Sequence, residues 1–469
     1  MSAEQEQYAR LPKLAGVCSY EEAARLGYSV EEDVQMLVRY AWIGKCAMEM
    51  GLYWLNPTPE WEIKEALSLH LYLDSQHVAW IRERVSAMRN PPPRMDVSPS
   101  ESLSAFLNEL LWAEDSLEKI VGLYGVLKPA LLAAYRRHHE QANPLVDYPT
   151  RRLLRMMIAD LEETMAWGEA ANAALTAEPE TQARAAAWRE HLLAYLRAAG
   201  GVMGSDEVTE DDLAKVPAAR AQGHTFQPDF FPRRDARFEK QWNFIFPPHE
   251  VARTDGVPDD EKTLALMCKR ALEMDVPEVL ARMMAEAEGQ PWDYYTEMAR
   301  QLWDEARHAM MGTVYFERHG VDWKREIPLH PGFAIRLNQH LSAPEAHAVL
   351  YAIEQSLMPA STGKKYEWVT AHDAGDELAQ LFQDYDWADE VLHVHIGRRW
   401  LLAILKMSRE QVIALGQEKA AASEHALDAY TDRAPQVNWW PDFVRLVLGK
   451  ETATSKSVYT TADPVYQKR

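Results

Sequence analysis

Residues 291–308 read P-W-D-Y-Y-T-E-M-A-R-Q-L-W-D-E-A-R-H, and the last five, Asp304-Glu305-Ala306-Arg307-His308, decide how the chain is read. The stretch follows a break at Gly289-Gln290-Pro291 and has the composition and spacing of a helix. On a helix, positions i and i+3 share a face one turn apart, so Glu305 and His308 can reach one metal ion together. One Glu-x-x-His is weak evidence, because Glu and His are ordinary helix residues. The chain holds a second, Asp389-Glu390-Val391-Leu392-His393, again preceded by Asp and again on a helical segment. The preceding Asp has its own use: a carboxylate beside the site can accept the free ring N–H of a ligating imidazole and set its tautomer.

Four-helix di-metal proteins pair each Glu-x-x-His helix with a helix supplying one more Glu. Glu305 stands roughly 21 Å along its helix from Pro291, and Glu273 roughly 24 Å from Gly289, at ~1.5 Å per residue. Glu354 and Glu390 match in the same way about the break at Asp373-Ala374-Gly375. The candidate ligand set is therefore Glu273, Glu305, His308, Glu354, Glu390 and His393. Pro277 follows Glu273 by one helical turn and would clash with its carbonyl in a regular helix. Pro359 stands in a comparable place after Glu354. Ligand helices kinked beside the metals are expected. The alternative is a helix opening near Pro277 with Asp275 as cap, which would make Glu278 or Glu286 the ligand.

These residues resemble the ferritin-like superfamily of di-iron carboxylate proteins in its four-Glu, two-His form. Asp-Glu-x-Arg-His recurs in the oxygen-activating members, including bacterial multicomponent monooxygenases, and stands here as Asp304 to His308. The second copy departs from it, with Leu392 in place of Arg. The resemblance covers residues 262–405 well and the first half only in outline. It implies an all-α chain of two tandem ferritin-like four-helix bundles joined by a long connector. It also implies two iron ions, with manganese fitting the same ligands, and an oxidase or oxygenase acting on a small organic substrate with dioxygen and an external electron donor. In that reading Glu305 and Glu390 hold and bridge the ions, His308 and His393 take one metal each, and Glu273 and Glu354 are terminal or shifting ligands. The competing class is a non-catalytic metal-binding protein, structural or sensing.

The first half reads as a worn copy of the second. Trp61 falls on Trp292, Asp74 on Glu305 and His77 on His308 at one constant offset, without a gap. The same offset puts Trp42 where Glu273 stands, and the second Glu-x-x-His has only Glu162-Glu163-Thr164-Met165 as counterpart. Asp74, His77, Glu114 and Glu162 would hold at most one ion. The expected organisation is a degenerate domain over 1–200, a connector over 201–260, the di-metal domain over 261–410, and a C-terminal helix and tail over 411–469. The connector carries Phe230-Phe231-Pro232 and Phe246-Pro247-Pro248, aromatics that point to an ordered segment.

Composition narrows the remaining classes. The 469 residues exceed one ordinary core, and a net charge of −21 disfavours general affinity for nucleic acid. Cys18, Cys46 and Cys268 are isolated, which fits a reduced cytoplasmic protein without disulfides or a zinc ribbon. No signal peptide and no membrane-spanning segment are expected. A homodimer is compatible with the sequence, although two helical domains can satisfy internally what smaller relatives gain by pairing. His372 and His395 lie near enough to the proposed site for a supporting role. Trp303, Trp387 and Trp400 read as core. No glycine-rich phosphate loop, dinucleotide fingerprint or nucleophile elbow is present, and Ser361-Thr362-Gly363-Lys364-Lys365 lacks the leading glycine of a P-loop.

Overall fold

The computed structural model describes residues 3–454. The rest of the expected C-terminal tail, 455–469, lies outside the described residues. The chain is all-α, and among the described residues no strand occurs. It divides into two compact units, one of Met1–Met50 and Leu73–Gln227, the other of Gly51–Tyr72 and Pro228–Arg469. The boundary therefore cuts through the first helical hairpin, whose turn is counted with the second unit. There Lys64, fully buried, donates to Glu278 at 2.7 Å, and Asn56 donates to the Glu278 carbonyl at 2.9 Å. Among the described residues no helix is long and apolar enough to cross a membrane.

The first unit is built from α1 (Val30–Leu55), α2 (Trp61–Ala87), α3 (Lys128–Gln141) and α4 (Tyr148–Leu175), with shorter helices between and after them. Its interior is apolar in the usual way, with Leu37, Tyr40, Val78, Tyr135 and Leu154 almost fully excluded from solvent.

The second unit carries α5 (Asp259–Leu272), α6 (Asp275–Ala285), α7 (Trp292–Arg318), α8 (Ala343–Ser356), α9 (Lys364–Asp373), α10 (Glu377–Leu405) and α11 (Arg409–Ala422). Helix α5 packs on α7, α7 on α10, α10 on both α8 and α9, and α9 returns to α5, so the contacts close a ring. Gly312 permits one of these approaches: a Cβ there would lie 2.2 Å from the Ala271 backbone nitrogen. The connector's aromatics are part of this unit's core, where Phe238 stacks on Trp61 and Phe246 is buried. A C-terminal helix, Trp440–Leu448, buries Trp440, Phe443 and Val444 in the same cluster.

Both candidate ligand helices flagged by proline are interrupted. Pro277 has no N–H for the Glu273 carbonyl, so α5 stops at Leu272, Glu273 is its C-cap, and α6 restarts at Asp275. Helix α8 ends at Ser356, two residues past Glu354, and a loop leads to α9. That loop is tight, because a Cβ on Gly363 would lie 1.9 Å from the Leu357 oxygen, and the Lys364 N–H donates to that oxygen at 2.9 Å. The consequence is that Lys364, the first residue of α9, enters the ring of helices.

Candidate metal centre

Six side chains singled out in the sequence come from four segments of the ring and converge in two groups. Glu305, Glu354, Glu390 and His393 each offer a ligand atom within 4.8 Å of the others, and Glu273, His308 and Asp386 form the second group on the same criterion. Glu305 links them. Its Oε1 lies 3.2 Å from His393 Nδ1, and its Oε2 lies 3.4 Å from His308 Nδ1. The imidazole centroids are 5.9 Å apart. Glu278, the rival to Glu273, is engaged elsewhere by Lys64 and Arg234.

Each imidazole is backed by the aspartate of the other motif. His308 Nε2 faces Asp389 Oδ2 at 3.3 Å, and His393 Nε2 faces Asp304 Oδ2 at 3.6 Å. Arg307 reaches both aspartates, binding Asp304 and donating to Asp389 at 2.7 Å, and Arg300 donates to Asp304 at 2.8 Å. One arginine thus serves two motifs, and Leu392, in the place a second arginine would take, is solvent-exposed. Backing of this kind turns Nδ1 of each ring toward the carboxylates, where it could ligate an ion once deprotonated.

Burial and charge shape the centre. Glu305, Glu354 and Glu390 are each 3% exposed, His308 and His393 not at all. Burial lifts the Glu354 carboxyl well above its ordinary range, and lifts Glu273 to about 7 against the pull of Arg270 and Lys364. Burial would also raise Glu305, but its close approach to the His308 and His393 rings outweighs this and holds it low. Those rings pay in kind: His308 is raised to about 10 by Asp386 first and then Asp389, against burial. Protons here stand where cations would otherwise balance the carboxylates.

The donor set fits divalent cations. Glu273 Oε2, Glu390 Oε2, His308 Nδ1 and His393 Nδ1 are buried without a hydrogen-bond partner, and buried polar atoms are rarely left so. Two residues set the groups apart. Arg270 binds Asp386 and meets Glu273 at 2.8 Å, while Lys364, wholly buried, lies 2.9 Å from Asp386 and 3.0 Å from Glu390. The Glu273–His308–Asp386 group is therefore already supplied with two positive charges. Glu354 instead accepts from Gln301 Nε2 at 2.6 Å.

Comparison with protein-family models, curated proteins and solved structures returns no match.

Several residues of the site escape sequence reasoning. Asp386 stands one turn before Glu390 on the same face of α10, a spacing that could have marked it. Lys364 and Arg270 carry no such signal, because their roles depend on the loop at Gly363 and on the end of α5. Other expectations fall away from the centre. His372 and His395 are exposed, and Trp303, Trp387 and Trp400 are half-buried rather than core.

In the first unit the four residues weighed as a remnant site are separately engaged. Asp74 pairs with Lys128, His77 with Asp160 at 2.9 Å, and Glu162 with Arg136 at 2.7 Å, while Glu114 is largely exposed. A different trio there, Asp33, His138 and Asp147, lies within ligand reach. Thr150 donates to Asp33 and Arg84 to Asp147, so ordinary partners account for much of its charge.

Proposed function

We propose that the second unit is the di-metal centre of an oxygen-activating iron oxidase or oxygenase acting on a small organic substrate. The observation that carries the reading is Glu305, whose two oxygens face the two inward imidazole nitrogens while each ring is backed by the opposite aspartate. Glu305, Glu354, Glu390 and His393 would hold one ion; Glu273, His308 and Asp386 would hold the other. When bound, a pair of iron ions supplies the electrons that activate dioxygen.

The chain's own contributions follow from its contacts. Asp304 and Asp389 fix the imidazole rings, and Arg300 and Arg307 fix the aspartates. Gln301 orients Glu354. The apolar packing of α5, α7, α8 and α10 keeps bulk water from the ligands. Glu273 is the least enclosed ligand, with 19% of its side chain exposed, and it marks the open edge from which a substrate would approach.

A second reading has its own support. Arg270 and Lys364 neutralise part of the carboxylate cluster from within the protein, which favours a non-catalytic centre holding a single ion. The two are separated by loading the protein with ferrous iron without oxygen, then admitting oxygen while following its uptake and the absorbance. Uptake with a transient or oxo-bridge absorption band supports the oxidase or oxygenase. Iron that stays bound and ferrous supports the non-catalytic reading.

A further inference from the structure

A cavity of about 550 Å³ opens in the second unit beside α5, within the range that takes small organic ligands. Phe244, Phe246 and Phe333 give it an apolar wall. His330 is packed edge-on to two of these rings, with centroids 5.4 Å from Phe244 and 5.7 Å from Phe246. The other wall is polar and largely cationic, formed by Arg253, Lys269 and Arg336, with Glu250 as the one acid. A basic cavity stands out in a chain whose net charge is −21.

Two of its polar groups lack partners. His330 is 8% exposed; its Nδ1 accepts the Gly332 N–H at 3.2 Å, so the proton sits on Nε2, which meets no acceptor. Arg336 is half-buried and donates to the Ala420 carbonyl at 2.8 Å and to the Ser423 hydroxyl, yet its Nε has no partner. Among the described residues no carboxylate lies within ion-pair distance of Arg336 or of Arg253. Burial pushes the Arg336 guanidinium down, and the more distant Glu424 carboxylate, which makes no ion pair with it, only partly opposes this. Burial likewise takes His249 and His330 to about 3 and about 4, so both rings are neutral and His330 acts as a plain N–H donor. Lys269 differs, since Glu367 already holds it at 2.6 Å.

We infer that this cavity binds a small organic anion, a carboxylate attached to an apolar or aromatic body, with Arg336, Arg253 and the His330 N–H receiving the carboxylate and the phenylalanines packing the body. Each part answers an observation: two arginines without an ion pair, one with an unpartnered Nε, suit an anion, the orphaned His330 N–H suits an acceptor, and the aromatic wall suits apolar surface. None of the lining residues is a metal ligand, so the inference stands apart from the di-metal reading. Lys269 and Leu272 of the cavity wall nevertheless belong to α5, which also carries Arg270 and is capped by Glu273. Glu367 touches both Lys269 and Arg270, which links the cavity to the centre by ion pairs.

The test is calorimetric titration of the full chain with 3-phenylpropionate, with 3-phenylpropan-1-ol and propionate as controls. The acid should bind, and the alcohol and propionate should each bind at least about tenfold more weakly, since a charge-assisted bond and a buried ring both contribute. Arg336→Gln should weaken the acid by about tenfold or more, and Arg253→Gln by a few-fold, with the alcohol unchanged in both. The melting temperature of each variant shows whether it is folded, and Arg253, exposed at the mouth, keeps the test decisive if Arg336→Gln is not. Binding should persist in Glu305→Ala/Glu390→Ala, which separates it from the metal centre. No binding of the acid, equal binding of acid and alcohol, or binding indifferent to Arg253 in a folded variant would overturn the inference.

Discussion

Two helices carry an acid and a histidine one turn apart at corresponding positions, Asp74 and His77 on α2 and Glu305 and His308 on α7, and they end in opposite chemistry. On α2 the acid meets the amine of Lys128 and the histidine meets Asp160, so both groups are satisfied by side chains. On α7 the acid meets two imidazoles whose facing nitrogens have no hydrogen-bond donor or acceptor to satisfy them. The motif is the same and the partners differ. A buried carboxylate must be balanced, and whether protein or ligand balances it is decided by residues far away in sequence.

The comparison can be broken most directly at Lys128. Lys128→Met leaves Asp74 buried and unpaired, and should destabilise the protein by about 3–5 kcal/mol in denaturant unfolding. A cost near zero would mean the first unit does not close its charge in this way. Lys364→Met applies the same operation to the second unit. It should destabilise the metal-free protein by ~3 kcal/mol, while a divalent ion recovers much of that and binds about tenfold tighter or more, because a competing charge is gone. Unfolding curves with and without metal give both quantities, and equal losses in the two conditions would place Lys364 outside the centre's electrostatics.

Asp389→Asn tests the backing of His308. Removing the carboxylate that fixes the ring should weaken metal binding about 10–100-fold with little change in metal-free stability. Unchanged affinity, measured by competition with a chromophoric chelator, would show that the ring needs no such anchor.

The smallest expected effect is on pH dependence. His308 is raised from an unfolded value of ~6.5 to about 10 in the metal-free fold, so its contribution is fully present below ~6.5 and is lost as pH rises toward about 10. Glu273, lifted to about 7 from ~4.3, binds its proton more tightly folded than unfolded and so acts in the same direction, between those values. Above pH ~6.5, where the histidines that burial keeps neutral no longer oppose the trend, metal-free protein should therefore lose stability toward alkaline pH. Metal-loaded protein should lose less, since ions hold the rings and carboxylates in their deprotonated forms. Parallel profiles would contradict the centre.

Much of this was legible before any coordinates. Helical spacing without alternating runs announces an all-α chain, and two Glu-x-x-His motifs at matched heights mark Glu273, Glu305, His308, Glu354, Glu390 and His393, which the fold brings together. Local rules suffice there because ligand spacing follows the turn of a helix. Pro277 likewise announces the break that makes Glu273 a C-cap. What escaped has no local signature. Lys364 enters because Gly363 lets its loop press on the Leu357 carbonyl, Asp386 matters because Arg270 and Lys364 meet it, and the hairpin turn at residues 51–72 groups with the second unit through Lys64 and Glu278. Each depends on which segments pack together, and helical periodicity does not carry that information.

Assigning the open charge on α7 and α10 to metal ions has a direct consequence for stoichiometry. It is tested by counting metal per chain after loading with ferrous iron under anaerobic conditions, in the natural protein and in Glu305→Ala/Glu390→Ala. Metal should bind at about two ions per chain, the capacity of a two-position carboxylate site, and be lost in the double variant. No bound metal, or metal that ignores both substitutions, would contradict it and leave a helical protein whose buried carboxylates are balanced by Arg270, Lys364 and protons alone.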